Sequence, residues 1–259
     1  MSGPQPRLPV SAVVVTRNAA RHLAAVLAAA DVCAELLVLD SGSSDDTSAI
    51  ARAAGARVEQ QPFLGFGPQK CRGVELAAHD WILSLDADEV LDDQARAAIR
   101  GVDLSDPRSC WSLRRRTFIG IREVRHGPWG NDQVLRLFNR TTAGFKPLPV
   151  HEEVESARRP TLLPGSILHY SYRDRADVIA RAVEYAPLKA GMLRRAGQRN
   201  ATWTLPLRAA LAFAHAYLLR GGFRDGADGF VVALARAVES TLPRAMVLGA
   251  EPTPNVNRS

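Results

Sequence analysis

Apolar positions in the N-terminal part of the chain come in short dense runs, separated by stretches whose apolar residues recur at helical spacing. Val10–Val15, Leu36–Leu39 and Trp81–Leu85 are such runs. They have the pattern of strands buried on both faces, as in a parallel sheet. Arg57–Gln60 is a shorter strand candidate. Between these runs, Ala19–Ala30, a segment ending near Ala54, and Gln69–Ala78 read as helices. Ser43, Ser44 or Asp45 can cap the second helix, and Gly55 suits its end. Strand and helix alternate over short connections, which predicts an α/β fold with a mostly parallel sheet and helices on both faces.

The pattern changes after Asp86. Asp92 to about Arg100 predicts a short helix. Cys110–Phe118 predicts a strand with a basic centre, Arg114-Arg115-Arg116, and Val134–Phe138 alternates like another. Gly127–Gly130 and Pro147–Pro149 mark irregular loops, and Leu162–Tyr170 reads as a late strand ending at His169. From Asp174 the chain reads as helical: Arg175–Arg195, then Leu207–Leu219 behind Pro206, then Asp228–Leu242, with Gly221 and Gly222 as breakers. A first domain over residues 1–173 and a helical C-terminal region over 174–259 are expected.

Composition narrows the class. With 259 residues and 46% hydrophobic content the chain is globular. Its three cysteines, Cys33, Cys71 and Cys110, form no Cys-x-x-Cys pair, which argues against a disulfide framework or a structural zinc site. Met1–Pro9 lacks an apolar signal core, and no apolar run approaches the roughly 20 residues of a membrane span. A cytoplasmic location is the expectation. The net charge is +6, and its placement matters: Arg181–Ser259 holds 11 Lys/Arg against 5 Asp/Glu, while the remainder holds 22 of each. A basic C-terminal third attracts anionic lipid, acidic saccharide or nucleic acid. The absence of a zinc-finger or aromatic-basic RNA motif demotes nucleic acid as a partner.

The candidate chemistry sits at strand ends. Trp81-Ile82-Leu83-Ser84-Leu85 runs into Asp86-Ala87-Asp88-Glu89, three carboxylates within four residues. Thr16 and Asn18 follow the first strand and Asp40 ends the second. In a parallel sheet these ends share one edge, where open α/β folds bind ligands. Asp86 and Asp88 can aim oxygens at one hard divalent cation, Mg²⁺ or Mn²⁺, which would share them with substrate phosphates. The competing reading is an exposed acidic turn capping the next helix, since Asp92 and Asp93 follow.

Taken in order, Val-x-Val-Val-Val-Thr-Arg-Asn, Leu-Asp-Ser-Gly-Ser-Ser-Asp-Asp-Thr, Gly-Phe-Gly-Pro-Gln-Lys and Trp-Ile-Leu-Ser-Leu-Asp-Ala-Asp-Glu resemble the family 2 inverting glycosyltransferases of GT-A fold. Asn131–Phe138, Val150-His151-Glu152 and Gly221–Phe230 are similar to the group of lipopolysaccharide inner-core β-1,4-glucosyltransferases. The resemblance spans about Val10 to Leu248. It implies a nucleotide-sugar half over about 8–100, an acceptor half over about 101–173 and a membrane-proximal helical region.

Position by position, the resemblance implies that Asp40 binds the uracil or ribose of a UDP-sugar, with Thr16 and Asn18 beside it. Asp86 would meet the ribose or the metal shell, and Asp88 would ligate Mg²⁺ or Mn²⁺ directly. Lys70 would face the nucleotide or sugar. Relatives often carry Asn where this chain has Cys71, so a polar contact is in doubt there.

Inverting transfer also needs a base within about 3 Å of the acceptor hydroxyl. Asp132 is the first candidate and Glu152 the second. The competing readings are a plain Asp132–Arg136 pair and a solvated turn at Glu152. His151 would complete the metal shell or orient a phosphate, Trp129 would stack on a sugar, and Arg136 would meet a diphosphate or an acidic acceptor. Leu207, Leu211, Ala214 and Leu218 form a helical stripe that fits either a protein core or a membrane interface. The implied acceptor is a lipid-linked saccharide, which places the enzyme peripherally on the cytoplasmic face of the inner membrane; the alternative within the same family is an enzyme with another donor or acceptor, of O-antigen, capsule or glycolipid type. A sugar-nucleotide pyrophosphorylase would carry a glycine-rich loop, and Val10–Asn18 has no glycine. An inactive nucleotide-binding relative has no chemical need for Asp40, Asp86, Asp88 and a candidate base together.

Overall fold

The structure is a computed structural model that describes residues 6–146, 153–198 and 201–248. Strand β1 (Leu8–Thr16) leads through helix α1 (Ala20–Ala29) to β2 (Cys33–Asp40), then α2 (Thr47–Ala53), β3 (Arg57–Gln60), α3 (Phe66–Leu76) and β4 (Trp81–Asp86). A short β5 (Glu89–Leu91), α4 (Asp93–Arg100), β6 (Cys110–Ile119), β7 (Arg122–Val124), β8 (Asp132–Asn139), β9 (Ala143–Phe145), β10 (Val154–Ser156) and β11 (Thr161–Tyr172) follow. The chain closes on α5 (Arg175–Glu184), α6 (Ala186–Arg195), α7 (Thr204–Ala214) and α8 (Gly226–Leu248).

Two compact units emerge. One comprises Met1–Phe118 and Asn131–Ser171, the other Ile119–Gly130 and Tyr172–Ser259. Among the described residues the main sheet runs in the order β3-β2-β1-β4-β8-β6-β11-β5. The four N-terminal strands are parallel, as the βαβ rhythm predicts. From β4 onward β4 and β8, β8 and β6, and β11 and β5 pair antiparallel, so the sheet is mixed rather than mostly parallel. The physical reason is the connections: among the described residues no α-helix lies between β6 and β11, so these strands lack the crossovers that parallel pairing requires.

Register fixes the edge that matters. Thr16 pairs with Asp40, Val15 with Asp86, and Asp40 with Gln60, so the carboxyl ends of β1, β2, β3 and β4 lie side by side. Beneath them, Val10, Val14, Leu83, Leu85, Leu23 and Leu27 are buried in one continuous core. On the other face Val13, Leu37 and Ile82 pack with Val74 of α3. Gly73 allows that contact: a Cβ there would sit 2.6 Å from Val13 Cγ1.

The second unit packs Ile119 and Val124 with Val178, Ala182, Val232 and Ala235. The Gly221–Phe230 motif builds this unit. A Cβ on Gly229 would collide with the Gly222 carbonyl. Asp225 accepts from the backbone of Arg125 and His126 and pairs with the His126 ring at 2.8 Å, and Asp228 pairs with Arg175 and Arg122 at 2.7 and 3.0 Å.

Candidate active site

The loop after β2 is organised by Asp40. Its buried carboxylate accepts from the Ser43 amide and hydroxyl, from Ser48 Oγ at 2.9 Å and from Gln60 Nε2 at 2.8 Å. Burial alone would push this carboxyl up; the hydrogen bonds from Ser43, Gln60 and Ser48 outweigh it and hold the group below the usual carboxylate range. Asn18 adopts φ +50° and accepts from the Ser44 amide, while its own amide donates to Ser43 Oγ. Gly42, at φ +82°, makes the tight turn between them. Thr16 Oγ1 is buried without a hydrogen-bond partner. Among the described residues its hydrogen-bonding capacity is unused, at the end of a central parallel strand.

Beside this loop lies a chain of ion pairs. Lys70, buried on α3, reaches Asp86 Oδ1 at 2.7 Å and rests 5.5 Å from the centre of the Phe145 ring. Arg136, buried on β8, reaches Asp86 Oδ2 at 3.0 Å and grips Glu89 at 2.6 and 2.9 Å. Glu89 is fully buried; it also pairs with Arg115 at 3.3 Å and accepts from the Asp86 amide. Arg115 in turn holds Asp132, both contacts falling on Oδ2 at 2.6 and 2.8 Å. Burial opposes ionisation of Asp86 and Glu89. Lys70 and Arg136 override it at Asp86, and Arg136 overrides it at Glu89, so both carboxyls stay well below their ordinary range.

Asp88 is less encumbered. Its Oδ2 accepts from Ser171 Oγ at 3.1 Å and its Oδ1 lies 3.6 Å from His169 Nε2, while its backbone carbonyl accepts from the Tyr170 amide. Antiparallel pairing of β5 with β11 sets His169 opposite Glu89 and so brings its ring to this turn. The other ring nitrogen faces Thr117 Oγ1 at 3.4 Å.

The structure therefore brings Thr16, Asn18, Asp40, Lys70, Asp86, Asp88, Arg136 and Asp132 to one unit, most of them along one sheet edge. Three expectations change. Asp86, expected on the ribose or metal, has both oxygens engaged by cations, which leaves Asp88 as the carboxylate with room for a metal. Asp132 pairs with Arg115, not Arg136, because the β6–β8 register sets it opposite Arg115. Trp129 falls in the second unit, where one face of its indole stacks on Tyr172 at 5.0 Å. His151 and Glu152 lie outside the described residues.

Glu89, Arg115 and His169 were not singled out from the sequence. Glu89 had a visible signal, its place directly after Asp-x-Asp. Arg115 and His169 had none, because their partners come from strand register.

Among the described residues no group of three or more His, Cys, Asp or Glu side chains could hold a metal. Mg²⁺ and Mn²⁺ do not require one, since they are commonly bound by one or two protein groups with phosphate and water completing the shell. Asp88 with His169 beside it fits that donor set.

The family model described as glycosyl transferase family 2 matches residues 11–153. A lipopolysaccharide core biosynthesis glycosyltransferase, LpsC, of Rhizobium meliloti is 28% identical over 93% of this chain and 93% of its own length. An uncharacterized glycosyltransferase of Rickettsia felis is 28% identical over 86% of this chain and 83% of its own. A crystal structure of glucosyl-3-phosphoglycerate synthase from Mycobacterium tuberculosis, with Mn²⁺, UDP and glucosyl-3-phosphoglycerate, overlaps 42% of this chain and 43% of that one, with 25% identity and TM-score 0.34. That overlap is too partial to transfer any contact. The family match covers more than half the chain, from the first strand past the ion-pair chain: this protein belongs to glycosyl transferase family 2.

Proposed function

We propose that this enzyme transfers a hexose, glucose from UDP-glucose, onto a lipid-linked saccharide of the lipopolysaccharide core type, with inversion at the anomeric carbon. The observation that carries the reading is Asp88: its Oδ2 accepts from Ser171 and its Oδ1 lies 3.6 Å from His169, two residues beyond Asp86, which Lys70 and Arg136 hold, at the carboxyl ends of parallel strands. The lipopolysaccharide core role of LpsC supports the acceptor class.

Asp88, with His169 beside it, would hold Mg²⁺ or Mn²⁺, and the bound cation would supply positive charge toward a departing diphosphate. The protein does the rest. The Asp40 loop and the orphaned Thr16 hydroxyl receive the uridine. Lys70 and Arg136, already bound to Asp86, present preorganised positive charge toward the leaving group. Asp132 acts as the base: Arg115 occupies Oδ2, so Oδ1 receives the acceptor proton. Glu152 is the second candidate for that proton. Work on a lipid-linked acceptor takes place at a membrane surface, which the protein meets peripherally, on the cytoplasmic side of the inner membrane. No described helix is long and apolar enough to cross one.

The test is UDP release from UDP-glucose in the presence of lipopolysaccharide core acceptor. Asp88→Ala is expected to lower turnover by about a thousandfold, and Asp132→Asn to keep donor binding while losing turnover. Full turnover by Asp132→Asn together with a dead Glu152→Gln moves the base to Glu152. Full turnover by Asp88→Ala overturns the metal assignment.

A further inference from the structure

Helix α7 is apolar at nine of its eleven positions, yet it contains no fully buried residue. Its face presents Trp203, Leu207 and Leu211, and the π-helical turn His215–Leu219 continues it with Leu218 and Leu219. Trp203 is 78% and Leu219 80% exposed, and Leu207, Leu211 and Leu218 are each more than half exposed. Residues 203, 207 and 211 are spaced four apart and share one side of the helix. On the adjoining side Leu205, Pro206 and Ala209 line an apolar groove of about 540 Å³ with Val183 of α5 and Leu242 of α8. The apolar surface thus wraps most of the helix. A helix apolar nearly all round is stable only where its surroundings are apolar too.

Charge identifies the surroundings. Ala186–Arg224 contains seven Lys/Arg and no Asp or Glu. Arg208 and His215 are exposed beside the stripe, and Arg220 and Arg224 are exposed at its end. Two copies meeting through this face would bring these cations against one another. An eleven-residue helix is about 16 Å long, roughly half the hydrocarbon thickness, so it cannot span. Aromatic and leucine residues on one face flanked by arginines are the makeup of a helix lying in a bilayer interface.

We propose that this face of the second unit, centred on Trp203, Leu207, Leu211, Leu218 and Leu219, docks the protein on a bilayer rich in anionic phospholipid. The assignment stands on the second unit alone and is independent of which sugar the first unit transfers.

The experiment is cosedimentation of the full chain with vesicles, either phosphatidylcholine alone or equimolar phosphatidylcholine and phosphatidylglycerol. The protein is expected to pellet with the anionic vesicles, to stay in solution with the neutral ones, and to be released by salt. Tryptophan emission is expected to shift to the blue with anionic vesicles, and Trp203→Phe to lose most of that shift. Leu207→Asp with Leu211→Asp is expected to reduce vesicle binding at least tenfold while circular dichroism and the melting temperature stay at wild-type values. Wild-type protein left in solution with both vesicles overturns the proposal, as does undiminished binding by the double variant. Equal binding to neutral vesicles overturns the choice of partner. A wild-type dimer in gel filtration that the double variant converts to monomer reassigns the face to self-association.

Discussion

Asp86 and Asp88 are separated by a single residue, Ala87, and have different work. Asp86 is locked between Lys70 and Arg136, whereas the Asp88 carboxylate meets Ser171 at 3.1 Å and His169 at 3.6 Å. Asp86→Asn is therefore expected to disturb the fold and donor binding together, and Asp88→Ala to lose metal-dependent binding while melting at nearly the wild-type temperature.

Asp40 allows a sharper test. Its folded pKa is depressed, so its ionised form adds stability that is fully present above the ordinary carboxylate range, near pH 4, and is lost as pH falls through the lower folded value. Asp40→Asn is expected to cost about 2 kcal/mol at pH 7, the size of a charged hydrogen bond. That deficit should shrink as unfolding is measured at progressively lower pH below about 4. A deficit independent of pH would mean that Asp40 acts through shape and not charge. The sequence marked Asp40, Asp86 and Asp88 because each ends an apolar run. It could not show that Asp40 turns inward to Ser43, Ser48 and Gln60, since those bonds depend on how the loop closes.

Among elements, the turn into β5 joins three strands. Glu89 ties the Asp-x-Asp turn to β8 through Arg136 and to β6 through Arg115. Removing Glu89 leaves Arg136 to Asp86 and Arg115 to Asp132, so a buried excess of positive charge is less well compensated. Glu89→Ala is expected to cost about 3 kcal/mol, read from the midpoint of urea unfolding. A cost below about 1 kcal/mol would show that water or rearrangement replaces the carboxylate.

Elements in the first unit were legible because dense apolar runs mark them locally; capping was a weaker guide, since α2 has Asp46 at its N-cap with no side-chain cap, and Asp92 caps α4 through the Ala95 amide. Proline misled in both directions. Pro187 divides the expected Arg175–Arg195 helix at Tyr185, because it lacks an N–H and clashes with the carbonyl four residues back. Pro243 lies inside α8, which continues to Leu248, and Arg194 of α6 holds that last turn through the Met246 carbonyl. α3 starts at Phe66, with Pro68 in its first turn, where the missing N–H has no acceptor to lose. Local rules locate a proline. Tertiary contacts decide whether it ends a helix.

In the whole molecule, chemistry and charge are divided. The first unit carries the strand-end site and the second carries the basic, apolar-faced helices. The βαβ rhythm announced the parallel half of the sheet. The antiparallel half, which delivers Arg115, Arg136 and His169, was hidden because antiparallel register is set between distant segments. A divalent cation and a nucleotide sugar are expected to meet at Asp88. Calorimetric titration of UDP-glucose, with and without Mn²⁺, into wild type and Asp88→Ala measures this. The wild type is expected to bind in a Mn²⁺-dependent way, and the variant at least tenfold more weakly. Binding that ignores both Mn²⁺ and the substitution would contradict it.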